Sequence, residues 1–288
     1  MKNGGHLFFL KKRPRIGVGK VVAGVVLGIF IMGTLFPYIW VVLTSIKPYS
    51  ELFQVPPTWI PEKPTIDNFY NVITNGTFIS AFMNSVIVTF GTVALTLPII
   101  IFSAYAFARL EFRGKSIILT GILVSQMVPV AVLLIPLYEV MTALHIIDTR
   151  FCLILTNLSF TVPFAVWMLR GYIRTIPKEI EESAKIDGCS RFGILWRIII
   201  PIAAPGLAAT VAYVFTMAWQ EYMLALSLIN SQSKFTLPIK LTSFVGQYGT
   251  QWGSLMAASI LVALPTLAIF LFLQKFLVAG LCSGSVKG

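Results

Sequence analysis

One polar stretch between two long apolar runs decides how this chain is organised, and from residue 176 to residue 201 it reads IPKEIEESAKIDGCSRFGILWRIIIP. Acidic side chains crowd its first half, where the dipole of a short helix favours negative charge. Ile180 and Ala184 share one side of that helix and can make a contact face. Gly188 is placed to end it in the left-handed conformation, and Ser190 can cap a second, amphipathic helix. The pattern predicts a short helix, a sharp turn and a second helix, which together form a compact surface protrusion for a partner protein.

Six long apolar runs account for most of the remaining chain. Of the 288 residues, 57% are hydrophobic and 11% are charged, and the mean hydropathy is +0.84; soluble domains carry about 25% charged residues. Each run is long enough to cross ~30 Å of hydrocarbon at 1.5 Å per residue, and backbone in lipid must pair its polar groups internally. The sequence therefore predicts an all-α polytopic membrane protein with six transmembrane helices. The runs are 20–46, 80–108, 117–139, 151–173, 203–229 and 254–279.

Lysine and arginine are distributed unevenly over the segments between these runs. When the segments are assigned to alternate sides, 17 of the 22 bases fall on the side that holds both termini and residues 174–201. The positive-inside rule places that side, and hence both termini, in the cytoplasm. The net charge of +11 is then explained by anionic lipid, and no nucleic acid is needed as a partner.

Few residues in the chain are suited to covalent or metal chemistry. The three cysteines are far apart, and two histidines are too few for a metal cluster. The tetrapeptide Arg113–Ser116 resembles the end of a phosphate-binding loop, but Arg109 stands where that loop needs its first glycine. We therefore expect no catalytic residue, no metal site and no bound cofactor in this chain, and no ATP hydrolysis by it.

The stretch 176–201 resembles the E-A-A loop of ABC importer permeases. The positions that match the family pattern are Glu182, Ala184, Asp187, Gly188, Ile198 and Pro201. Ser183 and Cys189 replace the usual alanines, and both substitutions are small. The resemblance implies a type I ABC importer transmembrane fold, in which the loop forms a coupling helix that docks into a cleft of a separate ATPase subunit. The residues expected to couple to that ATPase are Glu182, Ala184, Asp187, Gly188 and Arg191.

Further motifs resemble the carbohydrate branch of these permeases, and in particular the smaller permease subunit similar to that of the maltose importer. They include Ser45–Pro48, Ala104–Arg109, Phe112–Lys115, Trp219–Tyr222 and the closing Gly284–Gly288. This resemblance implies a bacterial or archaeal inner-membrane location. It also implies a second, similar permease, two ATPase subunits that hold ATP and magnesium, and an extracytoplasmic sugar-binding protein. We divide the chain into 1–79 (tail, first helix and Pro-rich external segment), 80–279 (transmembrane domain with the coupling loop 174–201) and 280–288 (cytoplasmic tail).

Two segments are candidates for contact with the transported molecule or its carrier. Trp219, Gln220, Glu221 and Tyr222 fall inside the fifth apolar run, where a buried acid indicates function by default, and an aromatic plane beside hydrogen-bonding groups suits a sugar. Alternatively, Glu221 pairs with a neighbouring helix or lies near the outer water. In the family, the external loop before the sixth helix contacts the binding protein. The candidates in that loop are Gln247, Tyr248, Gln251 and Trp252.

The main alternative is an ion-coupled secondary transporter, or else an intramembrane enzyme. A proton-coupled transporter needs several membrane-embedded acids or histidines, and only Glu221 clearly qualifies. An intramembrane hydrolase needs paired catalytic groups at depth, and the apolar runs contain no such pair. The sequence therefore favours the importer permease.

Overall fold

A computed structural model describes residues 18–246 and 249–284 of the chain, and most of these residues are helical. The predicted tails, apart from their innermost residues, and the predicted contact residues Gln247 and Tyr248 lie outside this part. In chain order the helices are α1 (Val18–Ser45), α2 (Tyr49–Leu52), α3 (Asp67–Thr74), α4 (Gly76–Arg109), α5 (Lys115–Ser125), α6 (Val130–Ala143), α7 (Arg150–Thr175), α8 (Lys178–Ile186), α9 (Arg191–Ile194), α10 (Ile200–Ile202), α11 (Ala204–Trp219), α12 (Met223–Leu228), α13 (Leu237–Thr242) and α14 (Trp252–Gly284).

Four short elements complete the described chain. Leu195–Ile199 forms a π-helical turn, and Gln232–Lys234 forms a 3₁₀ turn. Strands β1 (Val245–Gly246) and β2 (Gly249–Thr250) pair antiparallel, with Val245 opposite Thr250.

Four of the described helices, α1, α4, α7 and α14, are long and apolar enough to cross a membrane. Two further pairs qualify if each bent pair is one span: α5 with α6, bent by 100°, and Arg191–Ile202 with α11, bent by 79°. The described chain thus offers between four and six spans.

Two of the predicted apolar runs differ from the helices observed. The third run, 117–139, is broken before Pro129, which precedes α6 in an extended conformation, because a proline disfavours helical geometry in the residue before it. The fifth run, 203–229, is broken at Gln220–Tyr222, between α11 and α12. Glu221 therefore lies in a non-helical break and not inside a continuous helix, which corrects the sequence-based placement.

Helices α4 and α7 form the centre of the bundle and run parallel to each other. The start of each lies near the other, where Arg150 contacts Asn84, and so do their ends, where Arg170 contacts the backbone of Phe107. We call the end of the molecule that carries residues 176–201 the loop end, and the other the opposite end. At Gly91, in the middle of α4, an added Cβ would lie 2.6 Å from Cδ1 of Ile154 in α7, so any larger residue there would force the Ile154 side chain to move.

The loop end has its own hydrophobic core, and the predicted protrusion is part of it. Ala184 of α8 and Ile194 of α9 are buried in one cluster with Ile100 of α4, Leu169 of α7 and Val214 of α11. The short helices 178–194 are therefore packed onto the transmembrane bundle by apolar side chains and are not a solvated connector.

At the opposite end, the Pro-rich segment between α1 and α3 is tied together by polar contacts. The side-chain amide of Asn68 donates to the carbonyls of Ser45 and Lys47, at 2.9 Å each. The buried carboxylate of Glu51 accepts hydrogen bonds from the backbone N–H groups of Glu62 and Lys63, at 3.1 Å each. This segment leads directly into α4, which begins four residues before the predicted domain boundary at 79/80; that boundary stays a prediction.

Candidate coupling surface and membrane cavity

The local backbone of residues 176–201 follows from the turn chemistry of the sequence. Helix α8 ends at Ile186, and Gly188 adopts a left-handed conformation with φ of +83°, which costs other residues about 1–2 kcal/mol. Ser190 then caps α9, since its hydroxyl accepts a hydrogen bond from the N–H of Gly193 at 3.1 Å. The turn at Gly188 and the cap at Ser190 are both as the sequence predicts.

A buried ion pair fixes α8 to the end of α4. Glu181 points into the protein, and its carboxylate pairs with the guanidinium of Arg109, the two side chains being 5% and 6% exposed. The hydroxyl of Tyr105 donates to the same carboxylate at 3.1 Å, and Nη2 of Arg109 donates to the carbonyl of Ile176 at 2.8 Å. Because Tyr105 and Arg109 both bond to Glu181 of α8, and Arg109 also bonds to the segment just before α8, the helix is fixed to the end of α4. We call Tyr105, Arg109 and Glu181 the anchor.

The outward face of this segment combines charge with exposed apolar side chains. Of the five residues predicted to couple to an ATPase, Glu182, Asp187, Gly188 and Arg191 are exposed, whereas Ala184 is buried and packs inward. Large apolar side chains lie exposed on the same segment, and they are Ile180 (38%), Ile186 (86%), Phe192 (63%) and Trp196 (45%). Exposed apolar side chains grouped together and rimmed by charges mark an interaction surface. We call the exposed side chains of 180–196 the coupling surface.

A cavity of about 380 Å³ lies farther into the bundle, between the break in the third apolar run and the break in the fifth. Its polar lining contains Gln126, Asn157, Tyr213, Gln220, Glu221 and Tyr222. The predicted residues Gln220, Glu221 and Tyr222 thus come together at one cavity wall. The fourth, Trp219, is buried in the core, where its indole N–H donates to the carbonyl of Val262 at 3.0 Å and its ring stacks on Phe215.

Glu221 has a structural partner at this cavity. Its carboxylate accepts hydrogen bonds from the backbone N–H groups of Leu224 at 2.6 Å and Ala225 at 2.9 Å. These are donors that the first turn of α12 leaves unpaired. The acid therefore caps α12 and stabilises the break that opens the cavity wall, an arrangement that neither sequence-based interpretation of Glu221 included.

The segment after α12 is held at the opposite end by two polar side chains, the buried Asn84 and the partly exposed Asp148. Asn84 donates to the carbonyls of Ser233 and Phe235 at 2.9 Å each and accepts a hydrogen bond from Nε of Arg150 at 2.7 Å. Asp148 accepts hydrogen bonds from the Ser231 hydroxyl, two backbone N–H groups and Nζ of Lys234. These bonds hold the pKa of Asp148 well below its ordinary value.

The predicted binding-protein contacts are only partly described. Gln251 and Trp252 lie at the start of α14, where the N–H of Gln251 donates to the carbonyl of Phe244 at 2.9 Å and the Trp252 side chain is 44% exposed. Over residues 18–246 and 249–284, no three His, Cys, Asp or Glu side chains come close enough to hold a metal ion.

Comparison with known proteins identifies the family to which this chain belongs. The sequence profile of the binding-protein-dependent transport system inner membrane component matches residues 96–281, which include α8, the coupling surface and the cavity. The chain belongs to this family. It is an inner-membrane permease component of an ABC importer, as the E-A-A resemblance implies, and the recognition from sequence is confirmed.

Several curated permeases are similar to this permease over nearly its whole length. The diacetylchitobiose uptake system permease protein DasC of Streptomyces coelicolor is 36% identical over 270 residues, which cover 94% of this chain and 98% of DasC. The trehalose transport system permease protein SugB of Mycobacterium tuberculosis is 34% identical over 276 residues, which cover 95% and 100%. The inner membrane ABC transporter permease protein YcjP of Escherichia coli is 36% identical over 264 residues, which cover 91% and 94%.

Solved structures share the fold. A chain of a bacterial ABC transporter involved in the import of the acidic polysaccharide alginate superposes with a TM-score of 0.78 at 23% identity, covering 91% of this permease and 98% of that chain. A chain of the bacterial alginate ABC transporter in complex with an alginate pentasaccharide-bound periplasmic protein gives a TM-score of 0.67 at 16% identity, covering 88% and 92%. This permease therefore has an ABC importer permease fold.

The anchor is the part of the site that sequence reasoning missed. From sequence, Tyr105 and Arg109 belong to a family motif, and Glu181 is one of the acids in the first half of the 176–201 stretch. A signal was present, because Glu181 lies three residues before Ala184 and shares its helix face, and Arg109 ends a long apolar helix. Neither residue could be paired from the sequence, since 72 positions separate them.

Proposed function

We propose that this permease is a membrane-spanning subunit of an ATP-driven, binding-protein-dependent importer for sugars of the oligosaccharide class. The observation that carries the proposal is the near full-length similarity to permeases named for the uptake of diacetylchitobiose and trehalose. The cavity suits such cargo, because amide, carboxylate and hydroxyl groups stand beside the ring of Tyr222. Gln220, Glu221 and Tyr222 are proposed to line the sugar pathway, and Trp219 to support that wall from behind.

We further propose a topology of six spans with both termini in the cytoplasm. Each bent helix pair is then a single broken span. The break between α5 and α6 lines the cavity, where irregular backbone is tolerated within a membrane. The loop end, which is rich in lysine and arginine, then faces the cytoplasm in accordance with the positive-inside rule.

The proposed coupling uses the coupling surface and the anchor in series. A separate ATPase subunit binds ATP and magnesium and contacts the exposed side chains of α8 and α9. The proposed contact residues are Glu182, Asp187, Gly188 and Arg191. Ala184 packs inward and stabilises the position of α8. Because Glu181 fixes α8 to Arg109, movement of the ATPase cleft is transmitted to α4 as a rigid-body displacement. In this proposal the permease alternates between an inward-facing and an outward-facing state, and the better fit of the outward-facing state to the ATP-bound, closed ATPase is what shifts their populations.

The proposed assembly contains a second permease, two ATPase subunits and an extracytoplasmic sugar-binding protein. One wall of the pathway comes from this chain and the other from the second permease. Gln247, Tyr248, Gln251 and Trp252 are proposed to contact the binding protein, since the loop that holds them is fixed to the opposite end by Asn84 and Asp148.

The proposal is tested by uptake of labelled trehalose and diacetylchitobiose into cells that carry or lack this permease, with its neighbouring transport genes intact. We expect uptake of at least one sugar to require the permease and intracellular ATP, and to continue when a protonophore collapses the proton gradient. Uptake that follows the proton gradient, with no ATPase co-purifying with the chain, would support the ion-coupled alternative. If deletion leaves the uptake of these and longer oligosaccharides unchanged, the sugar assignment is wrong.

A further inference from the structure

A basic cavity of about 420 Å³ lies at the loop end, beside the anchor and apart from the coupling surface. It opens between the end of α4 and the end of α7, and the start of α8 closes one side. Its charged lining residues are Arg109, Glu111, Lys115, Arg170, Arg174, Lys178 and Glu179. Arg109 is already paired with Glu181. The other bases still outnumber the two acids, so the cavity favours an anion.

The arginines and lysines of this cavity are only partly satisfied by the protein. Nε of Arg170 donates to the carbonyl of Phe107 at 3.1 Å, and its terminal nitrogens meet no acceptor among the described residues. Arg174 and Lys178 form no ion pair within the described chain. Lys115 is 16% exposed and pairs with Glu111 at 2.9 Å. The guanidinium of Arg170 thus presents a fork of donors, the geometry that suits a phosphate.

The electrostatics of the neighbouring acid show how close these bases are to one another. Glu111 is fully exposed, yet its pKa is lowered, first by the hydrogen bond and charge of Lys115 and then by the charges of Lys178 and Arg174. Bases from three different elements therefore act on the same small region.

The cavity continues into an apolar surface of the kind that faces hydrocarbon. A second cavity, of about 450 Å³, adjoins it, and Glu111, Lys115 and Arg170 line both. Phe112, Ile117 and Leu119 line the second cavity on the α5 side, and Ile117 is 78% exposed. Charged groups thus give way to exposed apolar side chains along the first turns of α5, which is the order in which a phospholipid presents its headgroup and its chains.

We infer that this pair of cavities binds one anionic phospholipid, with its phosphate between Lys115, Arg170, Arg174 and Lys178 and its acyl chains along α5. Basic recesses between membrane helices at the cytoplasmic surface are suited to such headgroups. Because the recess is formed by α4, α7 and α8, a bound lipid bridges the elements that the anchor also joins. The inference rests on the membership of this family of inner-membrane proteins and on the proposed topology, in which the loop end faces the cytoplasm and α5 enters the membrane, and not on the proposed sugar.

The test is native mass spectrometry of the full chain in neutral detergent with phosphatidylglycerol or phosphatidylcholine added at equal concentration. We expect bound phosphatidylglycerol to exceed phosphatidylcholine at least tenfold. Each base near an anionic group strengthens binding about fivefold, so R174Q with K178Q should lose at least tenfold of the phosphatidylglycerol signal. Both side chains are exposed and unpaired in the described chain, so this variant folds; R170Q is the more severe second variant.

The matched control is R113Q with R197Q, which removes two exposed bases that line neither cavity. We expect the control to retain phosphatidylglycerol within about twofold of wild type. If the control loses as much bound phosphatidylglycerol as R174Q with K178Q, the lipid binds by general attraction to surface charge, and the proposed site is wrong. Inorganic phosphate, added in large excess over the lipid, forms the last arm; if it displaces the lipid completely and protects the chain from heating as well as the lipid does, the ligand is free phosphate and the lipid assignment is wrong.

Discussion

Removal of the Glu181 side chain tests whether the anchor holds α8 in place. The Glu181→Ala variant leaves the guanidinium of Arg109 buried without its partner, at a position where that side chain is 6% exposed. Solvent screening, which makes exposed pairs worth little, does not apply at this burial. Breaking a buried pair costs about 3–5 kcal/mol because the remaining charge stays desolvated. The hydrogen bond with Tyr105 is lost as well. The variant therefore lowers the free energy needed to detach α8 from α4.

Amide hydrogen exchange followed by mass spectrometry measures this cost locally. Exchange through local opening depends on the free energy of that opening, and each ~1.4 kcal/mol is a factor of ten. We therefore expect the amides of Ile180–Ile186 to exchange about 10²- to 10³-fold faster in Glu181→Ala than in wild type, while amides in the middle of α4 change little. With the ATPase present, ATP hydrolysis should continue while sugar uptake falls, because α8 is no longer fixed to the end of α4.

Two control variants separate the anchor from a general effect of the mutation. Glu179→Ala removes an exposed acid from the same helix and should leave exchange near wild type. The double variant R109M with E181M removes both charges, and replacing a buried pair by apolar side chains is neutral or stabilising, so most of the protection should return. If Glu181→Ala exchanges no faster than Glu179→Ala, or if the double variant is no better than Glu181→Ala, the reasoning from an unpaired buried charge is refuted.

Three further predictions concern the turn, the outer loop and the cavity wall. Gly188→Ala should weaken ATPase co-purification, because the left-handed backbone at this position costs a residue with a side chain about 1–2 kcal/mol. The control Gly171→Ala, in a helix with open space around it, should retain the ATPase. Equal retention of the ATPase by both variants would contradict a coupling role for the turn. Since the pKa of Asp148 is lowered in the fold, its stabilisation is complete above its ordinary value near 3.8 and is lost as pH falls through the folded-state pKa. The difference in melting temperature between wild type and Asp148→Asn should therefore stay constant from about pH 5 to 8 and shrink below about pH 4, and a difference that is unchanged at low pH would exclude the charge as its cause. Glu221→Ala should lower stability by about 1 kcal/mol through loss of the α12 cap, while Glu221→Gln should keep uptake with an unchanged pH profile; a shifted pH profile in Glu221→Gln would indicate ion coupling.

The general organisation of this chain is predictable from local sequence because lipid imposes uniform demands on it. The apolar runs correspond to helices because a membrane helix must satisfy its own backbone. The turn at Gly188 and the cap at Ser190 are predictable because each depends on one residue and its immediate neighbours. The E-A-A pattern has the same local character, and it was enough to identify the family.

The breaks in the third and fifth runs were not predictable from hydropathy, which averages over the residues on both sides of a break. Pro129 marks one break, but prolines 98, 163 and 265 lie inside helices that continue through them. The break at Gln220–Tyr222 is stabilised by the Glu221 carboxylate and by contacts of α12 with α6 and α7. The composition of an apolar run does not distinguish a run that is one continuous helix from a run that is broken. Tertiary packing decides between the two.

The sequence by itself determined that this is an importer permease, that its spans are helical, and where its surface protrusion bends. Only the tertiary structure decided that Glu181 faces Arg109, that Trp219 turns away from the cavity while Gln220 lines it, and that bases from three elements meet in one recess. The physical reason is distance along the chain. Helix periodicity and turn chemistry act over a few residues, whereas the burial that makes an ion pair strong, and the convergence that makes a binding site, exist only once distant helices have packed together.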